Sequence, residues 1–307
     1  MTAGWVAVSV RARAMTSRRL GRDGARRLAA SASLDDAVNA LARSTYGHDV
    51  RAGQPLPDAQ RAVIDTTAWN LRVLAGWAPR EGVGMLRVLL AALEVFNTVD
   101  HLRRLSGEPV PSPYRLGGLS TAWLRLQQTT SAEEVRAVLA TSAWGDPGAE
   151  SPRAVGLSMQ AALADRVMAA VPEASAWAAG GLALLVAREL VPEPRELPAG
   201  AQAAALRVLG PAAVGARSLP ELVAALPNPA QWTLSDVAHP ADLWRAEARW
   251  WTRVDHEGLA MVRRPGAGRQ AIVGAAAALA ADAWRVRGAL ELASRGGTLT
   301  EDFDAVA

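Results

Sequence analysis

One fifteen-residue pattern occurs twice in this chain, and it restricts the fold more than any other feature. Residues 33–47 read SLDDAVNALARSTYG, and residues 131–145, ninety-eight positions later, read SAEEVRAVLATSAWG. Ser33 aligns with Ser131, Asp35–Asp36 with Glu133–Glu134, Leu41 with Leu139, and Tyr46–Gly47 with Trp144–Gly145. A weaker third copy, SLPELVAALPNPAQW from Ser218, keeps the serine, Glu221, Val223 and Leu226. The shared S-x-x-D/E is a capping box. The serine oxygen is expected to accept the amide three residues on, and the acid to reach back to the serine amide. Gly47 and Gly145 are expected to form left-handed C-terminal caps. A chain that repeats a helix start in this way is built from repeated helical units.

The rest of the pattern is helical. From Glu81 to Ser106 the apolar residues Met85, Leu86, Leu89, Leu90, Leu93, Phe96, Val99 and Leu102 recur every three or four positions. That spacing predicts one long amphipathic helix, ended by Gly107 and the prolines of EPVPSP. Further helices are expected at Val6–Leu20, Gly24–Ala30, Leu119–Gln128, Ala174–Val191, Ala201–Leu209 and Ala271–Ser294, the last stopped by Gly296–Gly297. Linkers are expected near 107–114, 145–153, 192–199, 227–230 and 264–268. Phe and Tyr total only four residues, so strand-forming side chains are scarce. The expected fold is all-α, with helical repeats at 1–78, 79–172 and 173–307, the last including a closing C-terminal helix.

All 33 basic residues are arginine. The sequence pI of 10.3 at a formal charge of +3 therefore reflects the high pKa of guanidinium and does not point to nucleic acid. Residues 1–30 nevertheless carry seven arginines against one acid, Asp23. Such a face is either simply solvated or a docking surface for an acidic partner. With no cysteine, disulfides and thiolate metal sites are excluded. No apolar run reaches the roughly 20 residues needed to span a bilayer, and Arg11 and Arg13 interrupt any signal-peptide core.

Catalytic motifs are not evident. The doublet in DDAVN looks like the first metal box of helical isoprenoid synthases, but no second ligand box follows, and capping already accounts for the acids. His48, His101, His239 and His256 form no H-x-x-x-H pair, and His101 is expected at a surface or interface. Neither a Walker loop nor a nucleophile elbow is found. No catalytic residue, metal or cofactor is therefore expected. The segment LWRAEARWWTR, 243–253, is the strongest aromatic candidate for an interface, with at least two of its three tryptophans expected in packing between helices.

Taken in order, these segments resemble the C-type central-stalk component of the bacterial and archaeal V/A-type rotary ATPases, the counterpart of the d-type component of the eukaryotic V-ATPases. The motif R-x-R-A-M-x-S stands at Arg11–Ser17, and the T-x-Y-G turn and following helix lie within Ser44–Val63. The long helix carries Asn97 before Leu102–Arg103, and the last helix carries Trp284 and Arg287, with Arg285 where an asparagine is common. The resemblance covers most of the chain and is weakest over 174–260. It implies three pseudo-equivalent helical bundles forming a funnel about a pseudo-threefold axis. The funnel would hold the shaft subunits D and F on one side and rest on the membrane rotor ring on the other, at the cytoplasmic face. The chain would then do no chemistry and would transmit torque for proton or sodium transport. Arg11, Arg13, Arg103 and Arg287 are the candidate interface residues, lining the socket or pinning helices around it. The alternative is a helical scaffold for protein binding, although solenoid repeats commonly run about 34–47 residues.

Overall fold

A computed structural model describes residues 3–191, 193–266 and 268–296; Pro192, Ala267 and Gly297, which fall in the expected linkers and helix stop, lie outside these. Among the described residues the chain is helical with no strand. In chain order the helices are α1 (Ala3–Ser17), α2 (Gly21–Ala29), α3 (Leu34–Ala42), α4 (Leu56–Trp77), α5 (Arg80–Leu90) and α6 (Ala92–Leu105). Next come α7 (Trp123–Leu126), α8 (Ala132–Ala140), α9 (Pro152–Ala170), α10 (Ser175–Glu189) and α11 (Ala199–Leu209). The last are α12 (Pro211–Val214), α13 (Leu219–Ala225), α14 (Asn228–Leu234), α15 (Leu243–Arg263) and α16 (Arg269–Ser294). No single one of them is long and apolar enough to cross a membrane; the α5–α6 pair passes that test only when taken together across its break.

The chain forms two compact units. One comprises the described residues within Met1–Leu86 and Trp251–Ala307, the other Arg87–Trp250. In the first, α16 lies against α1, α2, α3 and α4. Its core joins Leu28, Val38, Leu41 and Val63 to Val286 and Leu290 of α16. In the second, α6 lies against α7, α8 and α9, and α9 in turn packs on α10 and α11. The core there is built on Leu157, Leu182, Val208, Leu222 and Leu234. Closely packed helices of this kind resist deformation because each buried side chain is held by many neighbours.

The expected helix over 81–106 is in fact two. The amide of Ala91 bonds back to the Val88 carbonyl, three residues earlier, and the amides of Glu94 and Val95 both bond to the Ala91 carbonyl. This tightened turn ends α5 and restarts the helix as α6, three residues before a carboxylate that is fully buried, Glu94. The expected helix at 119–128 shrinks to the four residues of α7. Thr129 ends it by turning both its amide and its hydroxyl onto the Leu126 carbonyl.

All three capping serines accept the expected amide: Asp36 N–H to Ser33 at 3.1 Å, Glu134 to Ser131 at 3.1 Å, and Glu221 to Ser218 at 3.4 Å. The return bond differs from the expectation. Glu134 and Glu221 take the amide one residue before the serine, from Thr130 and Arg217, and Asp36 instead takes the Ser33 hydroxyl. These amide bonds hold the Glu134 and Glu221 carboxyls below the usual carboxylate range. Nor are the two glycines helix caps. The helices end at Ala42 and Ala140 and are capped by Arg43 and Thr141, several residues earlier. Gly145 is left-handed at φ +77°, whereas Gly47 is not. A Cβ on Gly47 would instead run into the carbonyl oxygen of Ala42. Gly47→Ala should therefore destabilise the protein by about 2 kcal/mol or more through forced backbone movement. Ser33→Ala should cost about 1 kcal/mol. Urea melts check the order, and a Gly47 variant as stable as the wild type contradicts the close approach.

Candidate functional site

Each fifteen-residue repeat ends in the same turn. The Ser44 hydroxyl donates to the Leu41 carbonyl at 2.6 Å and accepts the Tyr46 amide at 3.1 Å. The Ser142 hydroxyl does the same with Leu139 at 2.7 Å and with the Trp144 amide at 3.1 Å. This serine turn aims the aromatic side chain inward, and Tyr46 and Trp144 are buried.

Both aromatics point at a buried carboxylate. The Tyr46 hydroxyl donates to Asp282 at 2.9 Å, and the Trp144 indole N–H donates to Glu94 at 2.8 Å. Asp282 also accepts the amides of Leu20 and Gly21 at 3.1 and 2.7 Å. Glu94 accepts those of Thr121 and Ala122, both at 2.6 Å. A buried acid, in the middle of α16 or in the first turn of α6, thus satisfies two orphan amides at the start of the short helix, α2 or α7. The aromatic closes the third side. A carboxylate taken out of water needs this many donors, since an unpaired buried charge costs several kcal/mol.

Around the acids the two long helices also match. Glu94-Val95-Phe96-Asn97 corresponds to Asp282-Ala283-Trp284-Arg285. Asn97 braces the Tyr114 backbone, accepting its amide at 2.7 Å and donating to its carbonyl at 2.9 Å. Arg285, wholly buried, donates to Asp255 at 2.9 Å and leaves Nε and Nη1 without a partner. Asp255 is approached by Arg19 at 3.9 Å. Trp284 stacks on Trp251 at 5.6 Å. In the second unit, Arg166 lies 4.4 Å over the Trp144 ring and donates to the Thr121 hydroxyl at 3.1 Å.

Burial dominates the titration of this site. It pushes the Asp282 carboxyl above its ordinary value, although its three donors and Arg19 pull the other way. Burial, and then the nearby Asp282 charge, push Tyr46 well up. His101 is not at a surface: it is buried, 2.9 Å from the Thr129 hydroxyl and edge-on to Trp123. Desolvation lowers its pKa.

The arginines singled out by sequence have separate surroundings. Arg11 and Arg13 lie on α1 and Arg287 on α16, in the first unit; Arg103 lies on α6, in the second. Arg11 covers the half-exposed Trp77 ring at 4.8 Å. Arg13 pins α1 to the end of α15, donating to the carbonyls of Val262 at 3.1 Å and Arg264 at 2.8 Å. Arg103 is half exposed, 3.8 Å from Asp100. Arg287 is exposed, and its carbonyl accepts from Gln60 at 3.3 Å. In the 243–253 segment, Trp250 donates to the Trp177 carbonyl at 2.8 Å, Trp251 stacks on Trp284, and Trp244 is partly exposed beneath Arg245. Among the described residues no group of three or more His, Asp or Glu side chains converges to hold a metal ion.

Sequence reasoning did not pick out Asp282 or Glu94, and it noted Arg285 only as standing where an asparagine is common. A signal was present. In both cases the acid interrupts a row of buried residues at four-residue spacing: Leu90 at the end of α5 with Glu94, Thr98 and Leu102 of α6, and Ala278, Asp282, Val286 and Leu290 of α16. No protein-family model matches the chain, and no curated protein is detectably similar to it.

The raised Asp282 pKa has a definite sign. The folded protein holds this proton more tightly than the unfolded chain, so the contribution to stability is present at low pH and is lost as pH rises through the folded pKa. The window opens near the ordinary aspartate value of 3.8 and extends upward. Asp282→Asn removes that titration. The stability advantage of wild type over Asp282→Asn should therefore shrink as pH is raised from about 4 to 7, as read by urea melts. A widening advantage contradicts the assignment.

Proposed function

We propose that this chain is a non-catalytic coupling subunit of a V/A-type rotary ATPase, seated between a central shaft and a membrane rotor ring. In this reading three helical bundles form a funnel about a pseudo-threefold axis. Shaft subunits of the D and F type enter the socket, and the proteolipid ring lies on the other side, at the cytoplasmic face of the membrane. The chain then carries torque between ATP turnover in the head and proton or sodium passage in the membrane.

One observation carries the reading: the acid–amide–aromatic clasp recurs in two modules whose capping serines are ninety-eight residues apart. Each clasp ties a long helix to the start of a short helix and to the serine turn, through bonds of 2.6–3.1 Å. A part that is turned rather than one that reacts needs this kind of local stiffness. The arginine-bearing α1 surface also supports the reading. It exposes Val6 and Val10 beside Arg11, an apolar and cationic pairing typical of protein contacts.

Co-expression with candidate shaft and ring subunits should yield a one-to-one assembly containing this chain. Arg11→Glu, Arg103→Glu and Arg287→Glu alter exposed side chains, and combined they should weaken shaft binding by about tenfold or more. Arg13 is excluded from this set because it holds α1 to α15. Failure to co-purify, or shaft affinity unchanged by the triple reversal, contradicts the proposal.

A further inference from the structure

The two clasps differ in what lies in front of them. In the second unit the Arg166 guanidinium covers Trp144. In the first, Tyr46 and Asp282 instead line a cavity of about 240 Å³ between α1, α4 and α16. Three guanidinium-bearing residues border it, Arg11, Arg18 and Arg19, with Thr66 and Asn70 on the α4 wall. Among the described residues neither Arg11 nor Arg18 has a carboxylate within ion-pair distance. The Nε of Arg19 is buried without a hydrogen-bond partner, and its nearest acid, Asp255, stands at 3.9 Å. The one acid in the wall, Asp282, has its oxygens turned onto the Leu20 and Gly21 amides and the Tyr46 hydroxyl. The cavity is thus bordered by three arginines, one of which, Arg11, rests its guanidinium on Trp77, against one wall carboxylate whose acceptor capacity is already engaged.

We infer that this cavity is an oxyanion site that takes a phosphate monoester group. Charge selects the class. Three guanidiniums and one acid leave an excess of two positive charges when Asp282 is ionised, and a phosphate monoester brings about −1.5 to −2 at neutral pH. Geometry agrees, because guanidinium groups pair with phosphate oxygens through parallel N–H bonds. The Arg19 Nε gains its missing acceptor, and the α4 wall adds the second N–H of the Asn70 amide, whose first donates to the Thr66 carbonyl at 3.0 Å; the Thr66 hydroxyl is already held by Asp49 at 3.0 Å. The inference stands apart from the rotary reading, since it rests on this cavity alone.

Isothermal titration of the full chain with inorganic phosphate, chloride holding the ionic strength constant, tests it. Saturable binding is expected. Arg18→Gln, which alters an exposed side chain, should weaken that binding by about tenfold or more, as should Arg19→Gln. Vesicles of phosphatidylcholine with and without phosphatidic acid separate the sources of the group. Retention on phosphatidic acid that is lost in Arg18→Gln identifies a lipid headgroup; phosphate binding without retention identifies a soluble phosphate ester. No phosphate heat beyond the chloride control, or equal affinity in wild type and Arg18→Gln, overturns the site.

Discussion

A buried carboxylate with three directed donors organises each module. Glu94, in the first turn of α6, and Asp282, in the middle of α16, are fully buried, where an unpaired charge would be strongly destabilising. Each is tolerated because two main-chain amides and one aromatic N–H or O–H converge on it. The arrangement works in both directions. The acid supplies the acceptor that the start of α2 or α7 lacks, and those amides make its burial possible. Removing any member leaves the others unsatisfied, so the long helix, the short helix and the serine turn are held as one piece.

The capping serines belong to the same construction at its surface. Ser33 and Ser131 start the helices whose far ends lead into the serine turns at Ser44 and Ser142. Those turns set the depth of Tyr46 and Trp144. The repeat that is conspicuous in the sequence is thus the outer half of a module whose inner half is the acid on another helix. In the second module α6 precedes the repeat it clasps; in the first, the acid comes from α16 at the other end of the chain. That permuted order explains why Met1–Leu86 and the segment from Trp251 pack as one unit.

The periodicity and caps made most of the helices legible. Helical spacing located α1, α2, α10, α11 and α16 to within a few residues, and S-x-x-D/E located three helix starts, but no helix was expected over α9 or α15. Side-chain demands on the backbone were not legible in the same way. The break at Ala91 follows from where Glu94 must point, and the brevity of α7 follows from the Thr129 turn; apolar spacing records neither. The role of Gly47 depends on the approach of one carbonyl oxygen, which a glycine in a sequence does not announce. The clasp partners are 50 and 236 residues apart, so no local motif joins them. Arg13 was visible as a candidate, but its contacts with the Val262 and Arg264 carbonyls, some 250 positions away, were not.

Amide hydrogen exchange tests the clasp most directly. The Leu20, Gly21, Thr121 and Ala122 amides lie at helix starts, where exchange is ordinarily fast because no intrahelical acceptor exists. If buried carboxylates hold them, all four exchange far more slowly than the exposed loop amide of Gly53, and approach the rates of the α4 and α9 cores. Exchange at the Gly53 rate for either pair would mean that the corresponding acid does not hold its module together.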